Sequence, residues 1–123
     1  MSGVAARLAV GVYVACFDGA TCNHLADLIR HGWLPYRTAP LPINLFWTSL
    51  TLLDPLVMAL LLTGRRRAGV SLALAIMIVD VVVNSYALFG LDYGPIAAAL
   101  LLQTAFLGFV LGSAPFLWRG RIR

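Results

Sequence analysis

Three aspartates, Asp18, Asp54 and Asp80, and one amide, Gln103, fall near the middle of four long apolar runs. Ionisable groups are rare at such depth, and each costs about 2.5–3.5 kcal/mol to place at the centre of a membrane helix. A carboxyl there can hold a cationic amine or pass a proton as general acid or base. At about 1.5 Å per residue, Asp18 lies about 15 Å from Leu8, Asp54 about 15 Å from Gly64 and Asp80 about 18 Å from Ala68. These depths agree, so the three carboxyls and the amide are expected to converge at one level. They must then face the bundle interior or a water-filled cavity.

Neighbours on the same helix faces extend this constellation. Asn44, Trp47, Thr48, Thr51, Asp54 and Met58 recur at three- and four-residue steps and form one stripe. Asp80 and Asn84 stack one turn apart. Asp18, Thr21, Cys22 and Leu25 share a face. Pro55 removes a backbone hydrogen bond to the Thr51 carbonyl, which predicts a kink beside Asp54. Asp54 and Asp80 are therefore the candidates for proton-transfer chemistry. Asp18, Asn44, Trp47, Thr51, Asn84 and Gln103 join them as the expected lining of a ligand site. No Arg lies at that depth, so Asp54 and Asp80 are expected to titrate as a pair with at most one ionised at neutral pH. Taken singly, Asn44, Asn84, Gln103 and the threonines read more readily as hydrogen bonds between helices.

His24, Asp27 and His31 form a second cluster near the end of the first run. One His and one carboxylate per turn is a weak metal-ligand pattern. A closed site needs more ligands than this face offers, so neither metal nor cofactor is expected. The competing reading is a hydrated surface on which Asp27 pairs with Arg30. Cys16 and Cys22 point about 120° apart on a helix, which excludes an intrahelical disulfide and leaves them as small packing groups.

The elements that must position these residues are membrane helices. Of 123 residues, 61% are hydrophobic and only 11% charged, where a soluble domain carries about a quarter charged. A disordered chain has the opposite balance. Four runs of spanning length follow from the roughly 20 residues that cross the hydrocarbon core: about 8–29, 41–63, 68–89 and 95–117. The expectation is an all-α integral membrane protein, one domain over 1–123, folded as a four-transmembrane-helix bundle. All nine basic residues are Arg and all five acids Asp, as a GC-rich genome would favour, and a bacterial source is expected. The net charge of +4 argues for orientation rather than for a nucleic-acid partner. Arg7, Arg65, Arg66, Arg67, Arg119, Arg121 and Arg123 lie on one side, Arg30 and Arg37 on the other. That asymmetry places both termini in the cytoplasm of a multi-pass chain in the inner (plasma) membrane. Trp33, Tyr36 and Trp118 sit where aromatic rings anchor at headgroups. Ala15-Cys16 loosely resembles a lipoprotein cleavage site, but Tyr13 and the long apolar run beyond argue against cleavage.

Small residues recur every fourth position at Gly11, Ala15 and Gly19, and again at Gly108 and Gly112. Such stripes allow close helix approach in lipid. Packing inside the monomer is the expected use, and a homodimer seam through Gly108 and Gly112 the sharper alternative.

The layout resembles the EXPERA family, which includes the sigma-two receptor and the emopamil-binding sterol isomerase. The features are Asp27-Leu28 before a Trp- and Pro-containing loop, Trp47 and a mid-helix Pro55, and a basic hairpin after them. Asp80 and Asn84 one turn apart and Tyr93-Gly94-Pro95 at the start of the fourth helix complete the likeness. The family's acid on the second helix falls at Ser49 here, the first loop is short, and no His-plus-Glu isomerase pair is visible. The resemblance therefore implies a lipophilic-ligand cavity closed by acids and open to the bilayer, not isomerase activity. The expected function is binding of a hydrophobic sterol-, isoprenoid- or amine-like small molecule, with proton transfer to it as an extension. Two alternatives stand beside it. One is a proton-coupled transporter working as a homodimer, since small multidrug exporters resemble this chain in length, helix number and glycine seam. The other is an accessory subunit of a larger membrane complex.

Overall fold

The structure is a computed structural model describing residues 2–120; Arg121 and Arg123, two of the arginines used for orientation, lie outside the described residues. Helix α1 spans Gly3–His31, α2 Leu41–Leu62, α3 Arg66–Ser85 and α4 Ala97–Arg119. A π-helical turn at Tyr86–Gly90 extends α3, and a 3-10 turn at Gly94–Ile96 leads into α4. All four helices are long and apolar enough to cross a membrane. No strand occurs among the described residues.

Local chemistry sets the boundaries. Ser2 caps α1 by accepting the Ala5 amide at 3.1 Å, so the helix begins five residues before the apolar run does. Gly32, at φ 78°, stops it, and Gly64, at φ 80°, closes the α2–α3 hairpin. Pro42 sits in the first turn of α2, where a missing N–H costs nothing. Helix α2 continues through Pro55 to Leu62. At 29 residues α1 is about 43 Å long, well beyond a hydrocarbon core of about 30 Å.

The helices pack in chain order, α1 on α2, α2 on α3 and α3 on α4. The α2–α3 crossing is close at Gly69, where an added Cβ would lie 2.7 Å from a Leu61 methyl. Helices α1 and α4 meet around a clasp near the Arg-bearing end of the bundle. Tyr13 of α1 shares a 2.8 Å hydrogen bond with Ser113 Oγ and donates to the Val110 carbonyl at 3.3 Å. Edge-on contacts of Tyr13 and Phe17 with Phe106 surround it. That end of the bundle thus carries a buried polar clasp.

The small-residue stripes do not pack inside the monomer. Gly11, Ala15, Gly19, Gly108 and Gly112 are all exposed. A Cβ added at any of these four glycines would meet nothing within 4 Å. The buried side of α1 is built instead by Ala6, Ala9, Tyr13 and Phe17. At 100° per residue the Gly11–Ala15–Gly19 line falls opposite them.

Candidate functional site

Beyond the Phe17–Phe106 contact, α1 and α4 diverge and leave a cleft. Its larger part, about 530 Å³, opens towards the Arg30–Pro40 connection between Asn23, Asp27 and His31 of α1 and Ala99 and Gln103 of α4. A second part, about 380 Å³, shares His24, Asp80 and Gln103 with the first. It runs sideways past Cys16, Phe17, Leu102 and Phe106. One cleft therefore has a polar mouth and an apolar flank.

Asp54 of α2 and Asp80 of α3 form the floor, 2% and 6% exposed. Asp80 is held from the next turn of its own helix, where Asn84 Nδ2 donates to its Oδ1 at 3.1 Å. Asn84 also donates to Gln103 Oε1 and accepts Trp47 Nε1–H at 2.7 Å, so its amide joins α2, α3 and α4. The other Asp80 oxygen has no hydrogen-bond partner among the described residues. Above the floor, Trp47 packs between Tyr36 and Tyr93, with ring centroids 5.2 and 5.6 Å away. No described Lys or Arg forms an ion pair with either carboxyl. Two carboxyls in one buried cleft without such a partner are costly to ionise together, which favours a shared proton.

His24 reaches the floor from α1, its Nε2 lying 3.8 Å from Asp54 Oδ2. Its Nδ1 is 2.7 Å from the Tyr36 hydroxyl, which donates to Asp27 Oδ2 at 2.8 Å. A phenol has one proton to give. With that proton on Asp27, the Tyr36 oxygen can only accept from His24, which assigns the Nδ1–H tautomer. In the neutral ring Nε2 then carries the lone pair, on the side nearest Asp54. Tyr36 lies outside the helices, and its phenol ionises well above the usual range. Burial is the largest cause, followed by its bond to Asp27 and the negative charge there.

These positions correct several sequence expectations. Asp18 does not converge with Asp54 and Asp80: it is exposed on the outward face of α1. It also lies six residues, about 9 Å along the helix, from His24, the residue that is level with Asp54. Asn44 is buried but serves the connection. Its Oδ1 accepts the Tyr36 amide and Thr48 hydroxyl at 3.2 Å each, and its Nδ2 donates to the Leu34 carbonyl at 3.1 Å. Thr51 borders neither part of the cleft, and its buried hydroxyl has no partner. His24, Asp27 and His31 do not gather around one point. A tyrosine joins the first two, and His31 is exposed at the mouth. Among the described residues no group of three or more His, Cys, Asp or Glu could hold a metal ion. Asp27 pairs with Tyr36 rather than with Arg30.

Asp54, Asp80, Trp47, Asn84 and Gln103 are brought together as expected. What sequence reasoning missed is the union of the two clusters and the part played by Tyr36 and Tyr93. The spacing of His24 and Asp27 and the short connection carrying Tyr36 were visible. The depth of His24 was not, because the axial position of α1 against α2 is set by packing between the two helices. Comparison with family models, curated proteins and solved structures finds no match, so no relative supplies a role for these residues.

Proposed function

We propose that the cleft binds a lipophilic organic cation, an amine-like head with an apolar tail, in exchange for a proton. One observation carries this reading. A floor of two carboxyls with no described Lys or Arg partner lies beneath the indole of Trp47 and the ring of Tyr93, and its open flank is apolar. Aromatic faces attract organic cations, by about 2 kcal/mol or more where water is excluded. An ammonium head near Asp80 and Asp54 would supply the missing positive charge, and displacement of the retained proton would keep the site neutral. The tail would leave sideways between Phe17, Leu102 and Phe106 into the bilayer. The EXPERA-like features imply the same kind of ligand.

The test is titration of the purified protein with dodecyltrimethylammonium below its micellar concentration, following Trp fluorescence and pH together. Saturable binding with release of about one proton per cation is expected from exchange at a single retained site. Equal response to an uncharged dodecyl alcohol, or binding unaffected by Asp80→Asn, overturns the reading.

A second reading, proton-coupled transport by a homodimer, is favoured by the outward glycine faces at Gly108 and Gly112. It predicts a dimer in mild detergent that Gly108→Leu dissociates.

A further inference from the structure

We infer that Asp27, Tyr36 and His24 form a proton path that connects Asp54 at the cleft floor with the polar mouth. The inference deepens the proposed function, because it names the route by which the exchanged proton leaves.

Four groups stand in line: Asp54 on α2, His24 and Asp27 on α1, and Tyr36 on the connection between them. The separations are 3.8, 2.7 and 2.8 Å. The first is longer than a hydrogen bond and must close by about 1 Å for transfer. The other two are within bonding range. Asp27 opens on the mouth, beside exposed His31 and Arg37.

The proton count closes. In the loaded state Asp54 is protonated, His24 carries its proton on Nδ1, and the Tyr36 proton points to a charged Asp27. Asp54 then gives its proton to His24 Nε2, His24 passes the Nδ1 proton to the Tyr36 oxygen, and Tyr36 passes its own to Asp27. In the unloaded state Asp54 is charged, His24 carries its proton on Nε2, Tyr36 points back to Nδ1 and Asp27 is neutral. Three protons are present before and after, and one unit of charge has moved from the mouth to the floor. Asp27 then loses its proton to water. Tyr36 never becomes a free phenolate, in keeping with a phenol that resists ionisation.

Other charged or titratable groups border the route without bridging it. Asp80 of α3 lies on the floor beside Asp54, bound to Asn84. Tyr93, between α3 and α4, takes its bond from Thr38 Oγ1 at 3.3 Å. Arg37 donates to the His31 carbonyl at 3.1 Å. Helix α4 contributes the uncharged Gln103.

The experiment needs no ligand. Infrared absorption of the protonated Asp54 carboxyl, assigned by its loss in Asp54→Asn, is followed after an alkaline pH jump. Tyr36→Phe removes the hydroxyl and keeps the ring, and Asp27→Asn removes the terminal acceptor. Each is expected to slow the loss of the Asp54 band by about 10²- to 10⁴-fold, the scale of one positioned proton-transfer group. Asp27→Asn serves alone if Tyr36→Phe does not fold. Wild-type rates in the variants overturn the path, and so does an Asp54 band that never responds to pH. Failure of the cation titration would defeat the proposed function and leave this result standing.

Discussion

His24 Nε2 and Asp54 Oδ2 lie 3.8 Å apart, although the two residues belong to clusters that the sequence keeps separate. The approach joins the polar end of α1 to the mid-helix acid of α2. It also places a titratable imidazole beside Asp54, which has no described Arg partner.

Replacing both Asp54 and Asp80 with Asn keeps their shape and much of their hydrogen bonding while removing proton exchange. The double variant is expected to unfold at the same or a higher temperature than the wild type, because two costly intramembrane acids are gone. Cation binding should disappear. Thermal unfolding in detergent and the titration described above check the two halves separately. A variant that is destabilised yet binds normally would make the acids structural.

Tyr13→Phe removes the hydroxyl that binds Ser113 and the Val110 carbonyl. Hydrogen bonds between membrane helices average about 0.6 kcal/mol and reach about 1.7. The expected loss of stability is therefore small, about 0.6–1.7 kcal/mol by reversible unfolding. Ser113→Ala should cost a similar amount, and the double variant less than their sum, since both delete one contact. Cation binding is not expected to change.

The Tyr36 phenol is held protonated far into alkali, unlike a phenol free in water at about pH 10. The folded protein therefore binds more protons than the unfolded chain above that pH. The stability this confers is fully present below about pH 10 and is lost as pH rises through the folded value. A phenolate absorbance titration should show Tyr36 among the tyrosines that ionise only with unfolding, and Tyr36→Phe should reduce the amplitude of that step.

Both termini and Arg65–Arg67 are expected on the cytoplasmic side, with Trp33 and Asp92 on the other, from seven arginines against two. A fusion after Arg123 to a reporter active only outside the cytoplasm should remain silent. Activity there reverses the topology.

The sequence by itself determined the number of helices and roughly where each lies, because hydrophobicity over about 20 residues is a local property of the chain. The one-turn bond from Asn84 to Asp80 was legible for the same reason: a four-residue step on a helix sets their separation. The tertiary structure alone decided which face of each helix turns inward and how far each slides along its neighbour. Asp18 and His24 show the difference. Depth counted from the edge of the apolar run selected Asp18. Instead, Tyr13 and Phe17 rotate Asp18 outward as they pack on α4, and the axial position of α1 against α2 brings His24 level with Asp54. Rotation and axial shift depend on side chains of two helices meeting at once, and no stretch of one helix contains that information.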